Sequence, residues 1–284
     1  MTERLADVSA RIDGIRQLGA VVNAMKGIAA ARARVARTQV EVLDSYAATI
    51  AAAMSSALAP DVISGRGGAS QLAGAGSTGL LVFCAEQGFA GAFSERVLDS
   101  IGNDLDMARL FLIGTRGLSV AAARGITPVW TAAMPSRTPG VPKLADGITK
   151  TIYRSLEEGS IENLDVIFTG WKSGRPQVVR QALFPIDLSE FPTSETADPL
   201  TQLPADALIA SLSADYFHAL VCRAALHAFA AENEARMEAM SAAGSQIARE
   251  LDQFQATLRR VRQEAITAEI IELGTGAAAS RDAR

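Results

Sequence analysis

The prolines of this chain are confined to its middle. All ten lie between Pro60 and Pro204, although the chain has 284 residues. A proline inside a helix costs about 3 kcal/mol, so proline-free flanks of this length permit uninterrupted helices. We therefore expect one long helix before Pro60 and a second that begins near Pro204 and continues through Glu272.

The C-terminal flank carries a stripe of apolar residues at alternating steps of three and four. The stripe consists of Met237, Met240, Gly244, Ile247, Leu251, Phe254, Leu258, Val261 and Ala265. This spacing is typical of a heptad seam, which buries one face of a helix against a second helix. The N-terminal flank also has apolar residues at helical spacing, and the flanks are complementary in charge. Residues 1–40 hold seven basic and three acidic side chains, whereas residues 232–272 hold five basic and eight acidic ones. The sequence therefore predicts that the two flanks pair with each other.

The middle of the chain follows a different pattern. Residues 61–78 are rich in glycine, serine and alanine, which predicts a linker. Short apolar runs then predict strands at 80–84, 110–113, 127–130, 164–168 and 178–183, with helices over 93–101, 118–124 and 148–156. This alternation is typical of a parallel or mixed sheet with flanking helices. The predicted organisation is a helix at 1–60, the linker at 61–78, an α/β domain at 79–203, and a helix with its tail at 204–284.

Composition and charge exclude several classes of protein. The net charge of −4 argues against a dedicated nucleic-acid binder, which carries a basic surplus. No run of eighteen uncharged apolar residues or signal-peptide pattern occurs, so we expect a cytoplasmic protein that does not span a membrane. Cys84 and Cys222 lie in apolar surroundings and are expected to be buried thiols in a reducing compartment. His218 and His227 are too few for a metal cluster, and we expect no metal and no cofactor.

Two glycine motifs suggest nucleotide binding, but their positions favour a linker and a turn. Gly74–Gly79 matches G-x-G-x-x-G, yet it precedes the first strand instead of following it, which favours a linker. Gln87–Gly91 does follow that strand and could hold a ligand through Gly88 and Gly91. We favour a tight strand-to-helix turn here, because the expected acidic ribose contact about twenty residues later is missing. No catalytic set of side chains stands out.

Both terminal flanks resemble the gamma subunit of F-type ATP synthases. The C-terminal matches are Ile266, Thr267, Glu269, Glu272, Gly276, Ala277 and Ala279, with Glu232–Met237, Ala239, Met240, Arg260, Arg262 and Gln263 upstream. The N-terminal matches are Ala24, Met25, Lys26, Ala29–Arg32 and Arg34. The resemblance covers the whole chain in layout and both terminal helices in motif.

This resemblance implies both a fold and a function. The fold is an antiparallel coiled coil of the two terminal helices with an inserted Rossmann-like α/β domain. The function is that of a central-stalk rotor subunit, non-catalytic itself, which couples rotation of a proton-driven c-ring to ATP synthesis or hydrolysis. The implied partners are the alpha, beta and epsilon subunits and the ring of c subunits, with no direct nucleotide binding. The implied location is peripheral, at the cytoplasmic face of a bacterial plasma membrane.

The resemblance also implies roles for single residues. Met25 and Lys26 are expected near the lever loop of a beta subunit. The expected coupling and catch positions are Arg236, Gln263, Thr267, Glu269 and Glu272. The chain departs from the family at Glu86–Gly91, where the family has Asp-Arg-Gly-Leu-Cys-Gly, and at Gly27, which replaces a bulky residue. These departures indicate a divergent bacterial branch.

Two other functions fit parts of the sequence. A coiled-coil scaffold unrelated to energy conversion would need the same heptads, but the signature after Ile266 would then be a coincidence. An enzyme could bind a nucleotide through Gly88 and Gly91. Titration with ATP and NAD separates these possibilities, since the rotor interpretation predicts no binding.

Overall fold

The computed structural model describes residues 2–57, 77–102, 104–172, 175–187, 191 and 201–282. The helices are α1 (Thr2–Ala57), α2 (Phe93–Asp99), α3 (Asp104–Met107), α4 (Thr115–Ala123), α5 (Val141–Glu157) and α6 (Ala205–Asp282). The strands are β1 (Thr78–Phe83), β2 (Arg109–Ile113), β3 (Trp130–Ala132), β4 (Asn163–Lys172) and β5 (Arg175–Phe184). The predicted linker at 61–78 lies outside the described residues except for its last two positions.

The two terminal helices are the longest elements. α1 has 56 residues and α6 has 78. The backbone N–H of Leu208 donates to the carbonyl of Pro204 at 3.0 Å, so α6 begins directly after the last proline of the chain. The prediction of two long proline-free helices is confirmed, and α6 continues without a break through Ser211–Ala214.

A five-stranded mixed sheet lies between these helices in the sequence. The strand order is β3-β2-β1-β4-β5, with β1 to β4 parallel and β5 antiparallel to β4. The predicted α/β pattern is confirmed, although most elements differ from their predicted bounds: α4 begins at Thr115 instead of residue 118, α5 begins at Val141 instead of residue 148, and α3 was not predicted. β3 begins at Trp130 instead of residue 127, and β4 and β5 extend toward each other as far as Lys172 and Arg175. The residues added at the facing ends of β4 and β5 are mostly polar or glycine, so no apolar run predicted them.

Helices cover both faces of the sheet. On one face, Leu81 and Phe83 of β1 pack in a cluster with Ile148 of α5, Val40 of α1 and Val221 of α6. On the other face, Leu80 and Val82 pack with α2 and α4. Successive side chains of a strand point to opposite faces, so the continuous apolar run of β1 is explained by burial on both sides.

The chain divides into two compact units, and the division cuts both long helices. The first unit contains Met1–Ile28 and Met237–Arg284, and the second contains Ala29–Arg236. The sheet, its flanking helices and the adjoining parts of α1 and α6 therefore belong to the second unit. The domain boundaries predicted from the sequence separate helices from sheet instead, and they remain a prediction.

Candidate functional site

In the first unit, α1 and α6 pair in an antiparallel direction through small residues. A Cβ atom added to Gly19 would lie 3.3 Å from Cγ2 of Ile247, and one added to Gly244 would lie 4.0 Å from Cγ1 of Val22. The helices therefore approach closely where a side chain is missing. The Arg11 guanidinium lies 5.3 Å from the ring centroid of Phe254, further along the same pair.

Met25 and Lys26 lie on this helix pair and are half-buried. The Nζ atom of Lys26 donates a hydrogen bond to Oγ of Ser241 at 3.2 Å. One of the three ammonium donors of Lys26 is thus used within the chain, which leaves capacity for a partner. The structure places both predicted residues on α1 within the helix pair, with Lys26 at the level of Ser241.

The other predicted coupling residues lie far along α6 from that level. Gln263, Thr267, Glu269 and Glu272 are all exposed. The helical register of 1.5 Å per residue separates Gln263 from Ser241 by roughly 33 Å. The pairing of Arg11 with Phe254 places the start of α1 opposite the stretch around Glu264, so α6 continues beyond its partner there. The structure therefore brings Met25 and Lys26 together, and the later group together, but not the two groups with each other.

Large apolar side chains surround the later group. Four of them are between 58% and 69% exposed, namely Ile266, Ile270, Ile271 and Leu273. Exposed apolar groups of this density mark an interaction surface on a soluble protein. This end of α6 therefore has the composition of a helix that is covered by something else.

Arg236 differs from the other predicted coupling residues, because its residue surface is only 5% exposed. It lies in the second unit, where its guanidinium pairs with the carboxylate of Glu232. It also donates to Oδ1 of Asn233 at 3.0 Å, to the carbonyl of Gly88 at 3.2 Å and to that of Gln87 at 3.5 Å. The prediction did not foresee these bonds, which join α6 to the base turn within the chain itself.

Glu232 also binds this turn, but through backbone N–H groups, whereas Arg236 binds backbone carbonyl groups. Its carboxylate accepts hydrogen bonds from the backbone N–H of Glu86 at 3.0 Å and of Gln87 at 3.1 Å. The Glu86 carboxylate in turn accepts from the N–H of Thr115 at 3.0 Å, from the Thr115 hydroxyl at 2.7 Å and from the N–H of Met134 at 2.8 Å. These bonds tie together the carboxyl ends of β1, β2 and β3.

This network lies where open α/β sheets hold their ligands. In such sheets, ligands bind outside the carboxyl ends of the strands, at the point where the strand order reverses. The order here reverses between β1 and β4, and the loop after β1 is occupied by Glu232. A small cleft of about 10 Å³ remains, with Arg32, Glu86 and Glu232 among its lining residues. The carboxylate takes the N–H donors that would bind a phosphate, so the arrangement disfavours a nucleotide at this edge.

The base turn itself needs glycine at one of its two predicted positions. Gly91 has a φ of 59°, which favours glycine, whereas a Cβ added to Gly88 would meet nothing within 4 Å. Phe89 between them has a φ of 62° and is 67% exposed. The stretch lies in the connection between β1 and α2, and the role predicted for its glycines as a base turn stays a prediction.

A second charged cluster in the second unit joins α1, β4 and α6. The Arg37 guanidinium lies 4.2 Å from the ring centroid of Trp171 and pairs with the carboxylate of Glu234. Burial raises the pKa of Glu234 above its usual value, against the opposing effects of the Arg37 charge and the Trp171 indole. The sequence prediction named none of Glu86, Glu234 or Trp171 as functional, and only the position of Glu86 directly after a buried strand could have indicated its role.

The cysteines have surroundings that disfavour reactivity, and the histidines pack against neighbouring side chains. Burial raises the pKa of the Cys84 thiol to about 12 and that of the Cys222 thiol to about 11, and both cysteines are free, as predicted. His218 lies 3.0 Å from a carboxylate oxygen of Asp146, and His227 stacks on Phe168. Among the described residues, no group of histidine, cysteine and carboxylate side chains is arranged to hold a metal ion. Within the same part of the chain, no helix has the length and apolar character that a membrane span requires.

The family model described as ATP synthase matches residues 4–279. The chain belongs to the gamma-subunit family of F-type ATP synthases. The ATP synthase gamma chain of Bdellovibrio bacteriovorus is 25% identical over 97% of this chain and 98% of its own length. That of Moorella thermoacetica is 26% identical over 96% and 98%, respectively.

A solved rotor structure shares the fold. A chain of the rotor of the Euglena gracilis mitochondrial ATP synthase superposes with a TM-score of 0.64 at 13% identity, covering 94% of this chain and all of that one. At this identity the likeness shows the fold alone. The predicted family and the predicted fold, two long terminal helices with an inserted α/β domain, are confirmed.

Membership of this family gives the chain its general role. Gamma subunits are the rotor of the central stalk, and the family contributes a non-catalytic subunit to the ATP synthase complex. The predicted function as a rotor subunit is thereby confirmed at the level of the family.

Proposed function

We propose that this chain turns inside a hexamer of alpha and beta subunits and contacts them at two levels of its helix pair. One level is formed by Met25 and Lys26. The other is formed by Gln263, Thr267, Glu269 and Glu272. The base, formed by the sheet and its flanking helices, binds an epsilon subunit and a ring of c subunits at the cytoplasmic face of a bacterial plasma membrane.

The exposed end of α6 is the observation that carries this proposal. Apolar side chains such as Ile270 and Leu273 are exposed to water in the isolated chain. Surrounding subunits would bury this apolar surface, and such burial stabilises a complex by about 25 cal/mol per Å². The polar residues among them are exposed and so are available to a surrounding subunit. A mostly apolar surface forms few fixed ion pairs with surrounding subunits, so no single angular position of the rotor is much more stable than the others.

The chain itself performs no chemistry in this mechanism. Its angular position favours different nucleotide affinities in the three surrounding sites, because an asymmetric rod contacts each site differently. The Glu232 carboxylate at the ligand edge of the sheet supports the absence of nucleotide binding. Isothermal titration of the full chain with ATP and with NAD should give no binding heat, and saturable heat from either would overturn this part.

Reconstitution with the alpha, beta and epsilon subunits and the membrane sector tests the rotor role. We expect a stable complex that hydrolyses ATP and pumps protons. Met25→Lys should reduce the number of protons pumped per ATP, because it places a second positive charge beside Lys26 at the contact. Met25→Leu is the matched control, since it keeps an apolar side chain of similar size at the same position without adding a charge. Full coupling in Met25→Lys would contradict the proposed contact, and failure to form a hydrolysing complex would contradict the rotor role.

A further inference from the structure

The β4–β5 hairpin extends beyond the rest of the sheet. β1 pairs with β4 only as far as Ile167, whereas β4 continues to Lys172 and pairs with β5 over that stretch. At about 3.3 Å per residue, the two strands therefore project roughly 17 Å past the last pair formed by β1. We call the paired residues 168–172 and 175–179 the projecting hairpin. Two strands without a third are marginally stable in water, so this hairpin needs support from elsewhere.

Both long helices contact the projecting hairpin near its end. The guanidinium of Arg37 on α1 lies 4.2 Å from the ring centroid of Trp171 and pairs with the carboxylate of Glu234 on α6. Burial raises the pKa of that carboxyl group, while the Arg37 charge and the Trp171 indole act to lower it. All three residues belong to the second unit, and we call them the hairpin cluster. One cation thus contacts the hairpin and α6 at the same time.

The hairpin cluster differs from the other contacts that α1 makes in the second unit. There, α1 packs through apolar side chains such as Val40 and Leu43. Its one other ion pair in that described stretch, from Asp44 to Arg223, is long at 3.5 Å. Apolar contacts are not directional, so α1 can shift along them at little cost. The hairpin cluster is therefore the contact that fixes α1 in one place relative to both β4 and α6.

We propose that the hairpin cluster transmits torque from the sheet to the two long helices, and that its members are positioning residues for coupling. This inference rests on the proposed function. A rotor that turns against a load must keep its helices from shifting relative to its base. Such a shift would separate the Arg37 cation from the Trp171 ring and the buried Glu234 carboxylate from its cation, and both separations are unfavourable. The effect of losing the cluster is therefore expected under load.

Proton pumping against an opposing proton gradient tests this role in the reconstituted complex. The readout is the number of protons pumped per ATP hydrolysed, measured without and then with the gradient. We expect Trp171→Ala to match the wild type without the gradient and to fall by roughly twofold to fivefold against it, because Arg37 loses its aromatic face. Trp171→Phe keeps such a face and is the matched control, which should stay near the wild type in both measurements. Full coupling of Trp171→Ala against the gradient, or a loss that does not depend on the gradient, would contradict the proposal.

A double-mutant cycle tests whether Arg37 acts through the same cluster. Arg37→Met should also lower the ratio against the gradient, and combining it with Trp171→Ala should lower the ratio no further, because residues in contact are not additive. If the two factors multiply, the residues act independently and the proposal is wrong. Failure of the wild-type complex to couple would overturn the proposed function and this inference with it. Multiplying losses in a complex whose wild type couples would overturn this inference alone.

Hydrogen exchange of the full chain measures the support of the hairpin without any partner. In Trp171→Ala and in Arg37→Met, the paired backbone amides of the projecting hairpin should exchange roughly tenfold faster, because a two-stranded segment that loses its support opens more often. Arg34→Met, at an exposed position on the same helix, is the control and should leave this exchange unchanged. Unchanged exchange in either cluster variant would overturn the proposal even where the variant complex does not assemble.

Discussion

The helix pair of the first unit and the carboxyl edge of the sheet in the second unit hold α6 by different means. In the pair, Gly19 faces Ile247 and Gly244 faces Val22, so contact depends on small and apolar groups. At the sheet edge, buried charges of α6 bind peptide groups of the loop after β1.

The two kinds of contact differ in how strongly they resist a shift of one element against another. Apolar contacts are not directional, so a small shift of one helix against the other costs little. Buried charges allow one arrangement, since any shift leaves a charge or a peptide group without a partner in a medium of low dielectric. A rotor needs a rigid connection between its base and its long helices in order to transmit torque. The charged network occurs in the unit that contains the base. The following predictions test whether the two regions differ in this way.

The largest effect is expected at Glu232. Glu232→Ala removes the acceptor of two backbone N–H groups and leaves Arg236 buried without its charge partner. We expect a loss of about 3–5 kcal/mol in the free energy of unfolding, measured by urea denaturation of the full chain. Glu238→Ala is the control, because Glu238 is exposed on the next turn of the same helix, and it should change the value by less than about 0.5 kcal/mol. Similar losses in the two variants would show that the buried Glu232 contributes no more to the free energy of unfolding than an exposed glutamate on the same helix.

A smaller loss is expected at Arg37. Arg37→Met removes the cation from the face of Trp171 and leaves the carboxylate of Glu234 without that pair. Because Arg37 itself is about half exposed, we expect a loss of about 1–2 kcal/mol in the free energy of unfolding. Arg34→Met, on the same helix at an exposed position, provides the comparison and should be close to neutral. An equal loss at both positions would show that the cluster contributes nothing beyond general helix charge.

The glycines of α1 test the apolar region. A Cβ at Gly27 would meet nothing within 4 Å, so Gly27→Ala should raise the free energy of unfolding by roughly 0.5–1 kcal/mol through helix propensity. Gly19→Ala should gain less or lose stability, because its Cβ would press on Ile247 at 3.3 Å. Thermal unfolding of both variants measures the difference. Equal gains would mean that the close approach of the two helices at Gly19 does not contribute to stability.

The sequence predicted the features that depend on local residue patterns and missed those that depend on contacts between residues far apart in the chain. Proline placement and heptad spacing act locally along a helix, so both long helices and their pairing could be foreseen. The bonds between Glu232 and the loop at 86–87 join residues separated by more than 140 positions, and no local pattern encodes them. Arg236 shows the consequence: its motif indicated the family correctly, but its burial could be known only from the fold.

The smallest effect is a pH dependence at Glu234. Burial raises the pKa of this carboxyl group in the folded state, so the folded chain binds its proton more tightly than the unfolded chain does. The charged carboxylate therefore reduces stability above the folded-state pKa, and this reduction disappears as the pH falls through that pKa toward the ordinary value of 4.5. Glu234→Gln cannot titrate, so its stability relative to the wild type should be more favourable at pH 7 than at pH 4.5. Urea denaturation at both pH values measures this difference, with the exposed Glu238→Gln as control. A Glu234→Gln difference that is the same at both pH values would show that Arg37 and Trp171 compensate the burial fully, and the charged cluster would then hold α6 at no electrostatic cost.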